Sequence, residues 1–175
     1  MNVAARIEKE LAVLIGEPLS GCSRAAAMQT FGFGPTRAEF GWRGRPVVRS
    51  AYALHLQCPW RLTDADEHVV VASGDIIVPA DGEYDDDFDW DSEQSWRDRV
   101  LDNLTTAWRS AAPTVTAIEA DAGGGVAVSF DNGFRLEVFP NMSAPDAELW
   151  RFLRYGSDDP HFVWTADGPE EPRGG

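Results

Sequence analysis

The sequence predicts an α+β fold: an antiparallel β-sheet meander with two helices packed on it. Three observations predict it. Stretches near 3–16 and 92–110 place apolar residues at helical spacing. Much of the remainder alternates apolar and polar residues at period two. The chain also resembles itself at an offset of about 90 residues, too long a period for a solenoid and suited to a doubled half-domain.

In the first helix, Val3, Ile7, Leu11, Leu14 and Ile15 form one stripe, and Gly16 and Pro18 stop it. In the strand that includes Tyr52, Leu54, Leu56 and Cys58, those residues face one way and Ala53, His55 and Gln57 the other. The second helix is expected to be capped by Asp91 or Ser92, with Gln94 completing a capping box from Asp91. Its apolar face holds Trp96, Val100, Leu104, Ala107 and Trp108, and Pro113 follows its end. Val126, Val128 and Phe130, then Phe134, Leu136 and Val138, make two strands around Asp131-Asn132-Gly133, a strong hairpin signal. The end, 169–175, reads as a disordered tail.

The self-resemblance pairs "YALHLQCPWRLTDADEHVVVASGD" (52–75) with "FRLEVFPNMSAPDAELWRFLRYGSDDPHFVWTADG" (134–168). Pro59 answers Pro140, Trp60-Arg61 answers Trp150-Arg151, and His68 answers His161. The expectation is one domain over 1–168, built of half-repeats at about 3–80 and 92–168, each a helix and about four strands. The halves differ at two insertions, 35–51 and the acidic run 81–91, and function tends to reside on such loops.

Charge is unevenly placed. The chain of 175 residues carries a net charge of −14, with fourteen arginines and one lysine, a usage associated with GC-rich bacterial genomes. Residues 1–80 hold eight basic and eight acidic side chains, whereas 81–175 hold seven and twenty-one. Such a field disfavours nucleic acid and anionic membrane as partners, since both need positive surface, and it suits a basic protein. No apolar run reaches the roughly 20 residues of a membrane span. Two cysteines, Cys22 and Cys58, are too few for a disulfide framework, so reduced thiols and a cytoplasmic location are expected.

The motifs give little chemistry. "DFDWDSEQSWRD" (87–98) places Asp at positions 1, 3, 5 and 12 of a calcium-loop register, but Ser92 stands where glycine is needed and Asp98 where a bidentate Glu is needed. His55 and Cys58 sit three apart on a strand and face opposite ways, so no metal site is assigned. His68 and His161 hold matching places, which favours a shared structural job, a ring nitrogen bonding backbone at a strand start. His55 is unmatched and outward, and with Arg24 and Arg61 it would line a cleft between the half-repeats that could hold a small anion or run an enzyme reaction. No catalytic residue and no cofactor are assigned.

"YALHLQCPWRL", "GFRLEVFP" and "ELWRF…HFVW" resemble segments of small uncharacterised bacterial proteins, a domain of unknown function, over roughly 10–165. Small acidic α+β proteins of this general look include immunity proteins, which neutralise a toxin from a neighbouring gene. The leading expectation is a non-enzymatic module binding an unidentified, basic protein. Asp85, Asp86, Asp87 and Asp89 would steer it and Trp90 would anchor it. Trp42, Arg43 and Arg45 in the basic loop are a second candidate contact, either for a ligand or for the acidic run of a second copy in a homodimer.

Overall fold

A computed structural model describes residues 2–41 and 44–170. It contains a helix α1 (Val3–Leu11), strands β1 (Leu19–Ala25), β2 (Met28–Phe40), β3 (Pro46–Leu56), β4 (Trp60–Thr63) and β5 (Val69–Ala72), then a helix α2 (Trp96–Ala107). The strands β6 (Val115–Ala120), β7 (Val126–Phe130), β8 (Arg135–Val138), β9 (Glu148–Arg154), β10 (Phe162–Thr165) and β11 (Gly168–Pro169) follow. The molecule is α+β as expected, but its strands form two antiparallel sheets and not one meander. One runs β1-β2-β3-β9-β10-β11 and the other β5-β4-β8-β7-β6.

The sheet change has a local cause. After β3 the chain breaks at Gln57–Pro59, where proline offers no N–H to continue the ladder. The Gln57 and Cys58 N–H groups turn aside to the carbonyl of Leu149 (2.8 and 3.1 Å). Trp60 then enters the other sheet opposite Val138, while Trp150 of β9 enters the first opposite Leu56. Both tryptophans are buried. Phe31 of β2 meets Trp60 of β4 edge-on at 5.1 Å between ring centres, so the two sheets share one core.

Helix α1 starts at Asn2, whose side chain accepts the Ala5 N–H at 2.8 Å, and Ile7, Leu11 and Leu14 are fully buried. A 3-10 turn over Ala12–Leu14 and a left-handed Gly16 (φ +88°) end it, as the sequence predicts. Helix α2 starts later than predicted. Ser95 is the cap: its hydroxyl accepts the Asp98 N–H at 3.2 Å, and the Asp98 carboxylate accepts the Ser95 N–H at 3.0 Å. That reciprocal box outcompetes Asp91 and Ser92, leaving the acidic run outside the helix. Arg97, absent from the predicted apolar face, is buried at 1% exposure.

The Asn132-Gly133 hairpin forms as read, with Gly133 at φ +85° and the Phe130 N–H bonded to the Phe134 carbonyl at 2.9 Å. The insertion 35–51 is not a loop. β2 and β3 run on, pairing Thr36 with Ser50 through Phe40 with Pro46, so that 36–40 and 46–50 form a two-stranded arm beyond the strands flanking it. The alternation Arg37, Ala38, Glu39, Phe40 against Val47 and Val48 is strand-like, and pairing across the arm satisfies the backbone groups that face the other strand. Of the predicted tail, Pro169 is ordered, forming β11 with Gly168 against β10, and 171–175 lie outside the described residues. Among the described residues, no helix is long and apolar enough to cross a membrane.

Candidate functional site

Residues 79–95 form a closed loop. Pro79 and Ser95 bridge at its base, the Ala80 N–H reaches the Gln94 carbonyl at 3.1 Å, and the Trp96 N–H reaches Val78 at 2.7 Å. Within it, Asp81, Asp85 and Asp89 each accept the N–H two residues on, from Glu83 (3.0 Å), Asp87 (2.9 Å) and Asp91 (3.1 Å). These are Asx turns, in which a short carboxylate organises its own backbone. Ser92 adds its hydroxyl to Asp89 at 2.6 Å, which holds the Asp89 carboxyl below its ordinary value. The calcium-like spacing therefore serves turns: Asp89 is engaged by its own loop and Asp98 by the helix cap.

All four predicted acids, Asp85, Asp86, Asp87 and Asp89, are exposed. The structure divides their work: Asp85 and Asp89 shape the loop, and Asp86 and Asp87 project from it. Trp90 is half-buried, whereas Tyr84 is 74% exposed and is the freer aromatic on this surface.

Arg24, predicted as a pocket residue, is the clamp of this loop. From β1 its Nε donates to Asp98 (2.8 Å), and its Nη2 donates to the carbonyls of Trp90 (3.0 Å) and Glu93 (3.3 Å). Burial would raise the Asp98 carboxyl, but the Ser95 N–H and hydroxyl together with Arg24 outweigh it, and the group stays below its ordinary value. No local pattern in the sequence points to this contact, which joins residues 66 and 74 positions apart.

Behind the clamp is a cavity of about 500 Å³. Cys22–Arg24 and Gln29 line one side, and Ser92–Gln94, Asp98, Leu101 and Asp102 the other. Its lining is not that of the expected anion cleft. His55 and Arg61 are elsewhere. Arg61 points out from the five-stranded sheet and pairs with Glu137 at 2.6 Å. The cleft also offers acceptors, the opposite of an anion site: Glu93, Asp98 and Asp102 face one arginine already engaged.

His55 lines a second cavity, of about 360 Å³, on the outer face of the six-stranded sheet with Ser20, Thr30, Ser50 and Tyr155. Burial first, and Arg151 next, lower the pKa of its imidazole. The Tyr155 hydroxyl lies 3.4 Å from its Nε2, while Ser20 donates to Ser50 at 2.8 Å, so the serines are occupied with each other. His68 and His161 each stand one residue ahead of their strands and are exposed. The ring of His68 faces the Asp64 carboxylate at 3.7 Å and not the backbone, which corrects the expected role.

Among the described residues, Asp64, Asp66 and His68 form the one group of three potential metal-ligand atoms lying within 4.8 Å. Asp64 already accepts the N–H groups of Asp66 and His68, at 3.0 Å each, as a turn of β4–β5 requires. Burial pushes the Cys22 and Cys58 thiols up to about 12, leaving both protonated. Arg45, at the tip of the β2–β3 arm, is exposed, as are Phe40 and Val48. Trp42 and Arg43 lie outside the described residues. In comparisons with known proteins, no family, no curated protein and no solved structure matches this chain.

Proposed function

We propose that the chain is a non-enzymatic binding module for a basic protein, and that its role is of the immunity type, occupying the cationic site of a toxin. One observation carries this reading. The 79–95 loop is built and clamped, yet its Asp86 and Asp87 carboxylates are left facing solvent. A run that served only solubility would not need a closed base, successive Asx turns and an arginine clamp. Such a surface steers a basic partner and fixes its orientation.

The test is association with the separately purified product of the adjacent gene, before and after Asp85, Asp86, Asp87 and Asp89 are changed to Asn. Association should slow by about tenfold or more, and about 1 M salt should act likewise. No association with that product would remove the immunity reading, and association indifferent to the four changes would remove the loop.

The fold reading that goes with this function is an ancient doubling, each half a helix and about four strands. Several paired observations support it. The Leu19 N–H bonds the Pro113 carbonyl (2.9 Å) and the Val115 N–H bonds Glu17 (3.0 Å), reciprocal contacts around the Pro18–Thr114 bridge. Gly34 bonds Pro18, and Asp131 bonds Thr114, at 2.8 and 2.9 Å. β1 and β6 shift register at the same place, between Leu19 and Gly21 and between Val115 and Ala117. On this reading, the acidic loop and the β2–β3 arm are what the two halves do not share.

A homodimer is the second reading, favoured by one feature. The arm exposes Phe40 at 84% and Val48 at 73% beside Arg37, Arg45 and Arg49, so it could dock on the acidic loop of a second copy. Sizing at low and high salt tests it: screened charges should release the monomer, and a monomer at both would end it.

A further inference from the structure

We infer that the cavity between β1 and α2 receives a lysine or arginine side chain of the basic partner, an inference that rests on the protein-binding reading above. The first observation is a buried acceptor. Gln29 is 1% exposed and lines the cavity; its Nε2 donates to the carbonyls of Ser23 (2.9 Å) and Thr30 (3.4 Å), and its Oε1 has no donor. A buried carbonyl oxygen without a donor is costly, and an incoming donor would satisfy it.

The second observation is the balance of the lining. Glu93, Asp98 and Asp102 stand against Arg24 alone. Four of the five N–H donors of Arg24 are committed to Asp98, Ala26, Trp90 and Glu93, so it offers at most one to an anion. Asp98 is held by Ser95 and Arg24, and Asp102 takes one bond from Gln94 at 3.1 Å. What remains is an excess of acceptors. Ammonium and guanidinium groups are donors only and carry the complementary charge. Leu101 and the protonated Cys22 thiol supply an apolar flank for the methylene stem of such a side chain.

The third observation is place. Ser92 and Glu93 belong both to the acidic loop and to the cavity wall. A basic protein drawn to Asp86 and Asp87 would thus arrive over the opening. Steering and insertion would be separate steps, the first governing the association rate and the second the dissociation rate.

The experiment is an NMR titration of the intact protein with N-acetyl-argininamide, with N-acetyl-lysinamide and, as an uncharged control, with N-acetyl-norleucinamide. The cations should shift the Gln29 side-chain amide and the backbone of Ser23, Gln94 and Asp102, and the control should not. Asp102→Asn, at an exposed position where folding is secure, should weaken the cations by about fivefold. With the basic partner, Asp102→Asn and Gln29→Leu should speed dissociation and leave association unchanged, the reverse of neutralising the loop. Absent shifts at the cavity, or equal shifts with norleucinamide, would overturn the inference whatever the partner does. If argininamide occupies the cavity but no basic partner binds, cation recognition stands and the protein-binding reading falls. If the partner binds with a dissociation rate untouched by Asp102→Asn, the loop reading stands and the cavity is not where the partner inserts.

Discussion

Replacing Arg24 with alanine should loosen the acidic loop before it threatens the fold. The guanidinium spans Asp98 (2.8 Å), the Trp90 carbonyl (3.0 Å), the Glu93 carbonyl (3.3 Å) and the Ala26 carbonyl (3.2 Å). Its side chain is 19% exposed and that of Asp98 is 17% exposed. An exposed ion pair is worth about 0–1 kcal/mol and a hydrogen bond to a charged group about 1.5–3 kcal/mol; this partly buried clamp sits low in the second range, at about 2 kcal/mol. For a chain of this size that lowers Tm by about 4–8 °C. The bonds at the loop base, between Ala80 and Gln94 and between Trp96 and Val78, do not involve Arg24 and should persist. Hydrogen exchange should therefore quicken at the Asx-turn amides of Asp87 and Asp91 and stay slow at Trp96. Arg24→Lys should not rescue the loop, because one ammonium cannot reproduce the planar fork. A Tm unchanged within error, or faster exchange across both the base and the turns alike, would refute the clamp.

Three further predictions concern the framework. Gly124→Ala should destabilise by about 3 kcal/mol or prevent folding, because Gly124 is at φ +84° and a Cβ there would stand 2.0 Å from the Trp164 ring; denaturant unfolding measures it. Both cysteines, with thiols pushed up to about 12, should ignore a thiol reagent at pH 8 and react together once the chain is unfolded. Since their folded values lie above the ordinary 9.0, stability should fall as pH rises above 9 toward 12, and substitution of either by alanine should flatten that limb. At the acid end, the Asp98 carboxyl is held below its ordinary 3.8, so its contribution is full above that value and is lost as pH falls from there through the lower folded value; Asp98→Asn should remove the corresponding slope of an acid-unfolding curve.

What the sequence revealed was local. The stripe of Ile7, Leu11 and Leu14 and the Asn132-Gly133 turn follow from periodicity and turn chemistry that act over a few residues. The start of α2 was misplaced because Asp91, Ser92 and Ser95 are all competent caps, and only the reciprocal bond with Asp98 decides among them. The exchange of β4 and β9 between sheets depends on pairings of Trp60 with Val138 and Trp150 with Leu56, which no window of sequence contains. The candidate site divides the same way. Its charge was evident from composition, whereas the Arg24 clamp and the buried Gln29 oxygen arise from contacts across the fold and could be found only in three dimensions.

Stopped-flow association with the adjacent gene product across a salt series measures whether the clamped acidic surface draws in a basic protein. The rate should fall steeply with ionic strength and lose most of that dependence in the fourfold Asp85, Asp86, Asp87 and Asp89 to Asn variant. A rate insensitive to salt, or an equally steep dependence in the variant, would contradict it.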